Sequence, residues 1–168
     1  MTEELNLPCL YKVYRNLEAN TYFFSTNTKA EYEILFIDGR EIFSFTPLEN
    51  SEIFNIIINK TKAGTGRRDP EIAKTIEAVL EHFFINKNRI LIYTCDSADS
   101  RHISRNRLFN KWFINSSLKK ALEKLDYHFT LQDPIYYTSM IFHKDHQLGR
   151  VTVIQTFKEV TKVLSDSK

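Results

Sequence analysis

The sequence predicts an α/β (α+β) fold, a mixed, largely antiparallel sheet of about six strands with helices packed on it. Three observations carry this expectation. Residues 21–25, 31–37 and 41–45 are β-branched and aromatic runs, separated by the turn signals Thr26-Asn27-Thr28-Lys29 and Asp38-Gly39, as in an antiparallel meander. Residues 69–84 open with Asp69-Pro70-Glu71 and then place Ile72, Ile76, Val79, Leu80 and Phe83 at the spacing of one helix face. Ile90-Leu91-Ile92-Tyr93 is too short for a helix, is bracketed by polar residues and reads as a buried central strand.

Residues 1–9 form a polar lead-in expected to be flexible, as is the tail 165–168, and 10–14 suit a short first strand, although 11–14 could also begin a helical turn. After the meander, 49–59 suit either a strand or a short buried helix, with strand the better fit. Residues 60–68, KTKAGTGRR, are a loop holding two of the four glycines and four basic residues. Asp69 then caps a helix, because its carboxylate accepts free amide protons and Pro70 loses no donor at the first helical position. Beyond the central strand a polar turn, 94–100, leads into a basic helix that Asp99 or Ser100 can cap. Its buried side comprises Ile103, Leu108, Phe109, Trp112 and Phe113. Residues 116–125 read as another helical segment, 127–131 and 136–142 as strands around Asp133-Pro134, and 151–164 as a terminal helix.

At 168 residues the chain fits one domain with a sizeable core, and thirteen Phe and eight Tyr oppose extensive disorder. A net charge of +2 announces no global field for nucleic acid, so any basic patch is local. Cys9 and Cys95 show no CxxC or Cys/His ligand spacing, which suits a reducing, cytoplasmic setting and no structural metal. No apolar stretch approaches the roughly 20 residues that span a bilayer, and Met-Thr-Glu-Glu lacks signal-peptide character.

Residues 89–113 gather hydroxyls, carboxylates and arginines at the carboxyl end of the central strand, where open α/β sheets usually bind ligands. Asp96, Asp99, Arg101 and His102 cluster there. One carboxylate suits a base and an arginine suits a phosphate, but a helix cap, a surface ion pair and a solvated histidine account for the same residues. Cys95 precedes a helix, a place that can activate a thiol, although a small buried core residue is the plainer role. Arg101, Arg105, Arg107 and Lys111, with Lys62, Arg67 and Arg68, suit an anion-binding surface for coenzyme phosphates, a nucleotide or an RNA backbone. Glu31, Glu33 and Glu41 are expected on the exposed face of the meander. His143-Lys144-Asp145-His146 reads as a polar loop rather than a chelate. Tyr136 and Tyr137 point to opposite faces of their strand.

The order of elements, a meander, then helix, strand, helix and two strands over about residues 20–143, resembles the GNAT-type N-acetyltransferase superfamily. The stretch Arg105-Asn106-Arg107-Leu108-Phe109 also resembles one in an uncharacterised bacterial family. The superfamily resemblance implies an acetyl-coenzyme A cofactor, a phosphate cradle at Lys62, Gly64 and Gly66, and an N-acyltransfer reaction. Departures are visible. Asp69-Pro70 stands between the glycines and the helix, setting an anion at its mouth. Phe109 stands where the superfamily's proton-donating tyrosine would be, so the role passes to Tyr93, Tyr136 or Cys95, or stays vacant. Small proteins of this fold include toxins of toxin–antitoxin pairs that acylate aminoacyl-tRNA, so an RNA substrate is compatible with the resemblance. A non-catalytic module that holds nucleic acid or a protein partner through the same arginines is the alternative.

Overall fold

The computed structural model describes residues 1–66, 69–95, 102–130 and 135–166. Its strands are β1 (Thr2–Leu5), β2 (Val13–Asn16), β3 (Thr21–Ser25), β4 (Glu31–Asp38), β5 (Glu52–Lys62), β6 (Arg89–Cys95), β7 (Leu122–Thr130) and β8 (Ile135–His143). The helices are α1 (Pro70–Phe83), α2 (His102–Asn115) and α3 (Arg150–Asp166), with single 3-10 turns at Arg40–Phe43 and Ser117–Lys120. The strands form one mixed sheet in the order β1-β2-β3-β4-β5-β6-β8-β7, eight rather than about six. By contact, the chain divides into two compact units, residues 1–37 with 56–85 and residues 38–55 with 86–168.

In the first unit, β1 to β4 form an antiparallel meander that includes the expected strands at 21–25 and 31–37 but begins earlier and leaves out 41–45. The polar lead-in supplies β1, paired from Thr2↔Asn16 to Leu5↔Val13. An edge strand needs only backbone partners, so its exposed polar side chains cost little. One face of the meander carries buried Val13, Tyr22, Phe24, Ile34 and Phe36. Against it α1 sets its apolar stripe, with Phe36 and Phe83 stacked at 4.4 Å between centroids. Asp69 starts α1 as predicted, accepting from the Glu71 amide at 2.9 Å, and the Tyr11 hydroxyl donates to its other oxygen.

In the second unit, residues 52–55 of β5 run parallel to residues 89–92 of β6, from Glu52↔Arg89 to Asn55↔Ile92. A parallel pair requires a long crossover, which the 14-residue α1 supplies. β8 then pairs antiparallel with β6, and β7 with β8. Side chains alternate across these strands. Ile90, Ile92, Met140 and Phe142 meet Val153, Phe157 and Val160 of α3 in a core that also takes Phe43, Leu48 and Ile53. Full burial of such side chains contributes roughly 1.5–3 kcal/mol each.

Two expectations fail here. Residues 41–45 form no strand, because local side chains bind the backbone. The Asp38 carboxylate takes the Arg40 amide at 3.0 Å, and Thr46 Oγ1 donates to the Phe43 carbonyl at 2.6 Å, so the chain coils into a 3-10 turn. The helix expected over 116–125 reduces to one turn capped by Ser116. From Leu122 onward, nine residues pair with β8, and that ladder overrides local helix propensity.

Candidate functional site

The second unit presents a polar cluster under α2. Tyr93 on β6, Ser139 on β8 and Lys124 and Asp126 on β7 share the sheet face opposite α3, by the registers Tyr93↔Ser139 and Asp126↔Ser139. Phe109 of α2 stacks on Tyr93 with centroids 4.0 Å apart, and Trp112 packs at 5.4 Å from Phe109. The Tyr93 hydroxyl donates to Asn106 Oδ1 of α2 at 3.3 Å. Ser139 donates to Asp126, and Lys124 closes on the same carboxylate, its ammonium 5.7 Å from the Tyr93 ring centroid. Burial pushes the Tyr93 hydroxyl well above the ordinary phenol value. It is therefore a hydrogen-bonding neutral phenol that gives up its proton reluctantly.

This arrangement sorts the residues singled out in the sequence. Tyr93 and Cys95 are both buried on β6, Cys95 opposite Tyr137 in the register with β8. Tyr136 lies further along β8, half-buried and opposite Phe129. Arg105, Arg107 and Lys111 are exposed on α2. Arg107 and Lys111, one turn apart, share a ridge. Across residues 102–122 no carboxylate intervenes, and Lys119 and Lys120 extend the positive charge past α2. Asp96, Arg101, Arg67 and Arg68, with Asp99, lie outside the described residues.

In the first unit, Lys62 ends β5 and pairs with Glu31 at 3.1 Å. Gly64 is needed for close packing: a Cβ there would lie 2.7 Å from Thr28 Oγ1 and 2.8 Å from the Ala30 amide nitrogen. The Thr65 amide donates to the Thr28 carbonyl at 3.1 Å, so this donor already has an internal acceptor. Gly66 adopts φ +124°, which favours glycine. Asp69 occupies the α1 terminus with its own carboxylate.

His146, taken from sequence as part of a polar loop, is buried. Its Nδ1 accepts from the Leu148 amide at 3.2 Å, so Nε2 carries the proton toward the Asn88 carbonyl, also at 3.2 Å. Burial lowers its pKa. Among the described residues, no three His, Cys, Asp or Glu side chains gather to hold a metal ion. No described helix is long and apolar enough to cross a membrane. Sequence reasoning missed Ser139, Asp126 and Lys124. Their signal was the alternation of polar residues along 124–128, which is legible only once those residues are placed in a strand.

The fold and site define a mixed α+β protein with an aromatic-backed polar cluster beneath a basic helix. Residues 68–159 match the model of a family of unknown function, DUF6169, and the chain belongs to that family. The match takes in α1, β6, α2, β7, β8 and most of α3, and β6, α2, β7 and β8 carry the cluster. No curated protein matches the chain.

Proposed function

We propose that this protein is an acyltransferase-type, GNAT-like protein that binds the phosphate-bearing part of coenzyme A through the basic surface of α2. One observation carries the reading. The sheet turns parallel at β5–β6, is bridged there by α1, and returns through α2 to the inverted hairpin order β6-β8-β7. That order of elements supports the reading by its likeness to the N-acetyltransferase arrangement. Arg105, Arg107 and Lys111 would meet the phosphates, since guanidinium groups bind such oxygens bidentately. Tyr93 and Ser139, whose hydroxyl protons go to Asn106 and Asp126, would shape the acyl side of the site. Asp96, Cys95 and Tyr136 are the remaining candidates for proton transfer. Trp112, the single tryptophan and a residue of α2, reports occupancy by its fluorescence. Acetyl-coenzyme A should change that emission saturably. Arg105→Ala with Arg107→Ala should weaken the response at least tenfold, and an unchanged midpoint would remove α2 from the site.

A second reading is favoured by the carboxylate-free run 102–122 and by Phe109 in place of a proton-donating tyrosine. Arg105 to Lys111 extend over about 9 Å of α2, and Lys119 and Lys120 continue the positive charge beyond its end, a spread that suits a run of backbone phosphates. A non-catalytic RNA-binding module would then show salt-dependent affinity that Arg105→Ala with Arg107→Ala reduces. Affinity for RNA unaltered by those changes at low salt would dismiss it.

A further inference from the structure

On the sheet face opposite Tyr93, the second unit holds a cavity of about 270 Å3. Its floor is Ile92 and Thr94 of β6, Thr138 of β8 and Asn55 of β5. Phe157, Val160, Thr161 and Leu164 of α3 form one wall, and Asp38, Gly39, Glu41 and Ile42 the other. We infer that this cavity binds a small organic cation, an ammonium group on a short hydrocarbon chain.

The lining fixes that chemistry. Ile42, Ile92, Phe157, Val160 and Leu164 offer hydrocarbon, and no Lys, Arg or His is among the lining residues. Thr94 and Thr138, the latter 8% exposed, share a hydrogen bond at 3.1 Å between their hydroxyl oxygens. One proton serves that bond, so the pair keeps lone pairs, and its second proton, for a guest. Thr161 spends its hydroxyl on the Phe157 carbonyl at 2.8 Å and contributes methyl surface instead. Two carboxylates stand at the rim, in unequal states. Asp38 is engaged by the Arg40 guanidinium, with Nη2 at 2.6 Å, and that contact holds its carboxyl down to about 2. Glu41 has no ion-pair partner among the described residues and is the open charge. Outside it, a shallower groove shares Asp38 and Glu41 and adds Glu49, with Arg40 as its one cation. The cavity is therefore apolar within and anionic at its mouth. Its volume falls just under the roughly 300–1,000 Å3 of drug-sized sites, which suits a small guest.

An anion would lose its hydration with no cation in the lining to receive it and Arg40 already held by Asp38, whereas an ammonium meets Glu41 and hydroxyl oxygens while its chain displaces water from the apolar wall. The inference is independent of the coenzyme reading, since none of these residues lies on the α2 face.

The test is titration of the full chain with n-hexylammonium, n-hexanol and n-hexanoate at matched ionic strength, followed by methyl NMR. Hexylammonium should shift the Ile92, Thr138 and Val160 methyls saturably at millimolar concentration, and hexanoate should bind at least tenfold more weakly. Glu41→Gln, an exposed change that leaves the core intact, should bring the amine's affinity down to that of hexanol. Val160→Phe, which fills the space, should abolish the shifts at Ile92 and Thr138. Equal binding of hexanoate, an unchanged amine preference in Glu41→Gln, or no movement of the three methyls would each overturn the assignment.

Discussion

Phe45 should be more stable as glycine. It is 97% exposed, so truncating the ring forfeits almost no buried surface, yet its backbone sits at φ 62°. A left-handed conformation costs an L-residue about 1–2 kcal/mol, and a bulky side chain there is an outlier. Glycine removes that cost but loses about 0.5–1 kcal/mol more conformational entropy on folding. The backbone donor to Glu49 Oε2, at 3.1 Å, survives the change. The balance is a gain of about 0.5–1 kcal/mol for Phe45→Gly, or roughly 1–4 °C in melting temperature for a chain of this size. Urea unfolding provides the assay: the midpoint should rise with the slope unchanged. Phe45→Ala keeps the strained φ and should sit near wild type. A glycine variant no more stable than wild type, or an alanine variant that gains as much, would refute the strain argument.

Other predictions follow from single contacts. Gly64→Ala should destabilise by about 1–3 kcal/mol by overpacking Thr28 and Ala30, read as a lower urea midpoint. Asp69→Ala should cost about 1–2 kcal/mol through the lost α1 cap, and more if Tyr11 is left unpaired, whereas Asp69→Asn should recover most of it. Since burial holds His146 below the free imidazole value of 6.5, the unfolded chain takes up this proton first. Stability is full above pH 6.5 and falls as the solution is acidified through that value, and His146→Gln should flatten this limb of a midpoint-against-pH curve. Asp38, held down to about 2 by Arg40, contributes stability above pH 3.8 that fades toward pH 2. The pair is exposed, so the effect is small and should vanish in high salt.

The parts of the fold that were legible in the sequence were those in which a local signal and the tertiary outcome agree. Asp69-Pro70 announced α1 because the cap chemistry is local, and Ile90 to Tyr93 announced β6 because burial on both faces leaves a continuous apolar run. The run 122–125 was misread because Leu, Glu and Lys favour helix, while the deciding partner, β8, lies in the following residues. Residues 41–45 misled in the opposite sense, since their β-rich composition is overruled by Asp38, Ser44 and Thr46 binding nearby backbone. At the site, the exposed arginines of α2 were readable from charge spacing alone. Ser139, Asp126 and Lys124 were not, because strand register brings them together with Tyr93. At the glycine loop, the close approach of Ala30 to Gly64 was not legible, because spacing alone does not show which neighbour a glycine admits.

Isothermal titration of the purified chain with acetyl-coenzyme A and coenzyme A tests the central claim most directly. Saturable micromolar binding of both ligands is expected, weakened by Arg105→Ala with Arg107→Ala. Absence of binding at millimolar ligand would contradict it, leaving the α2 surface to an RNA partner and the sheet to a scaffold role.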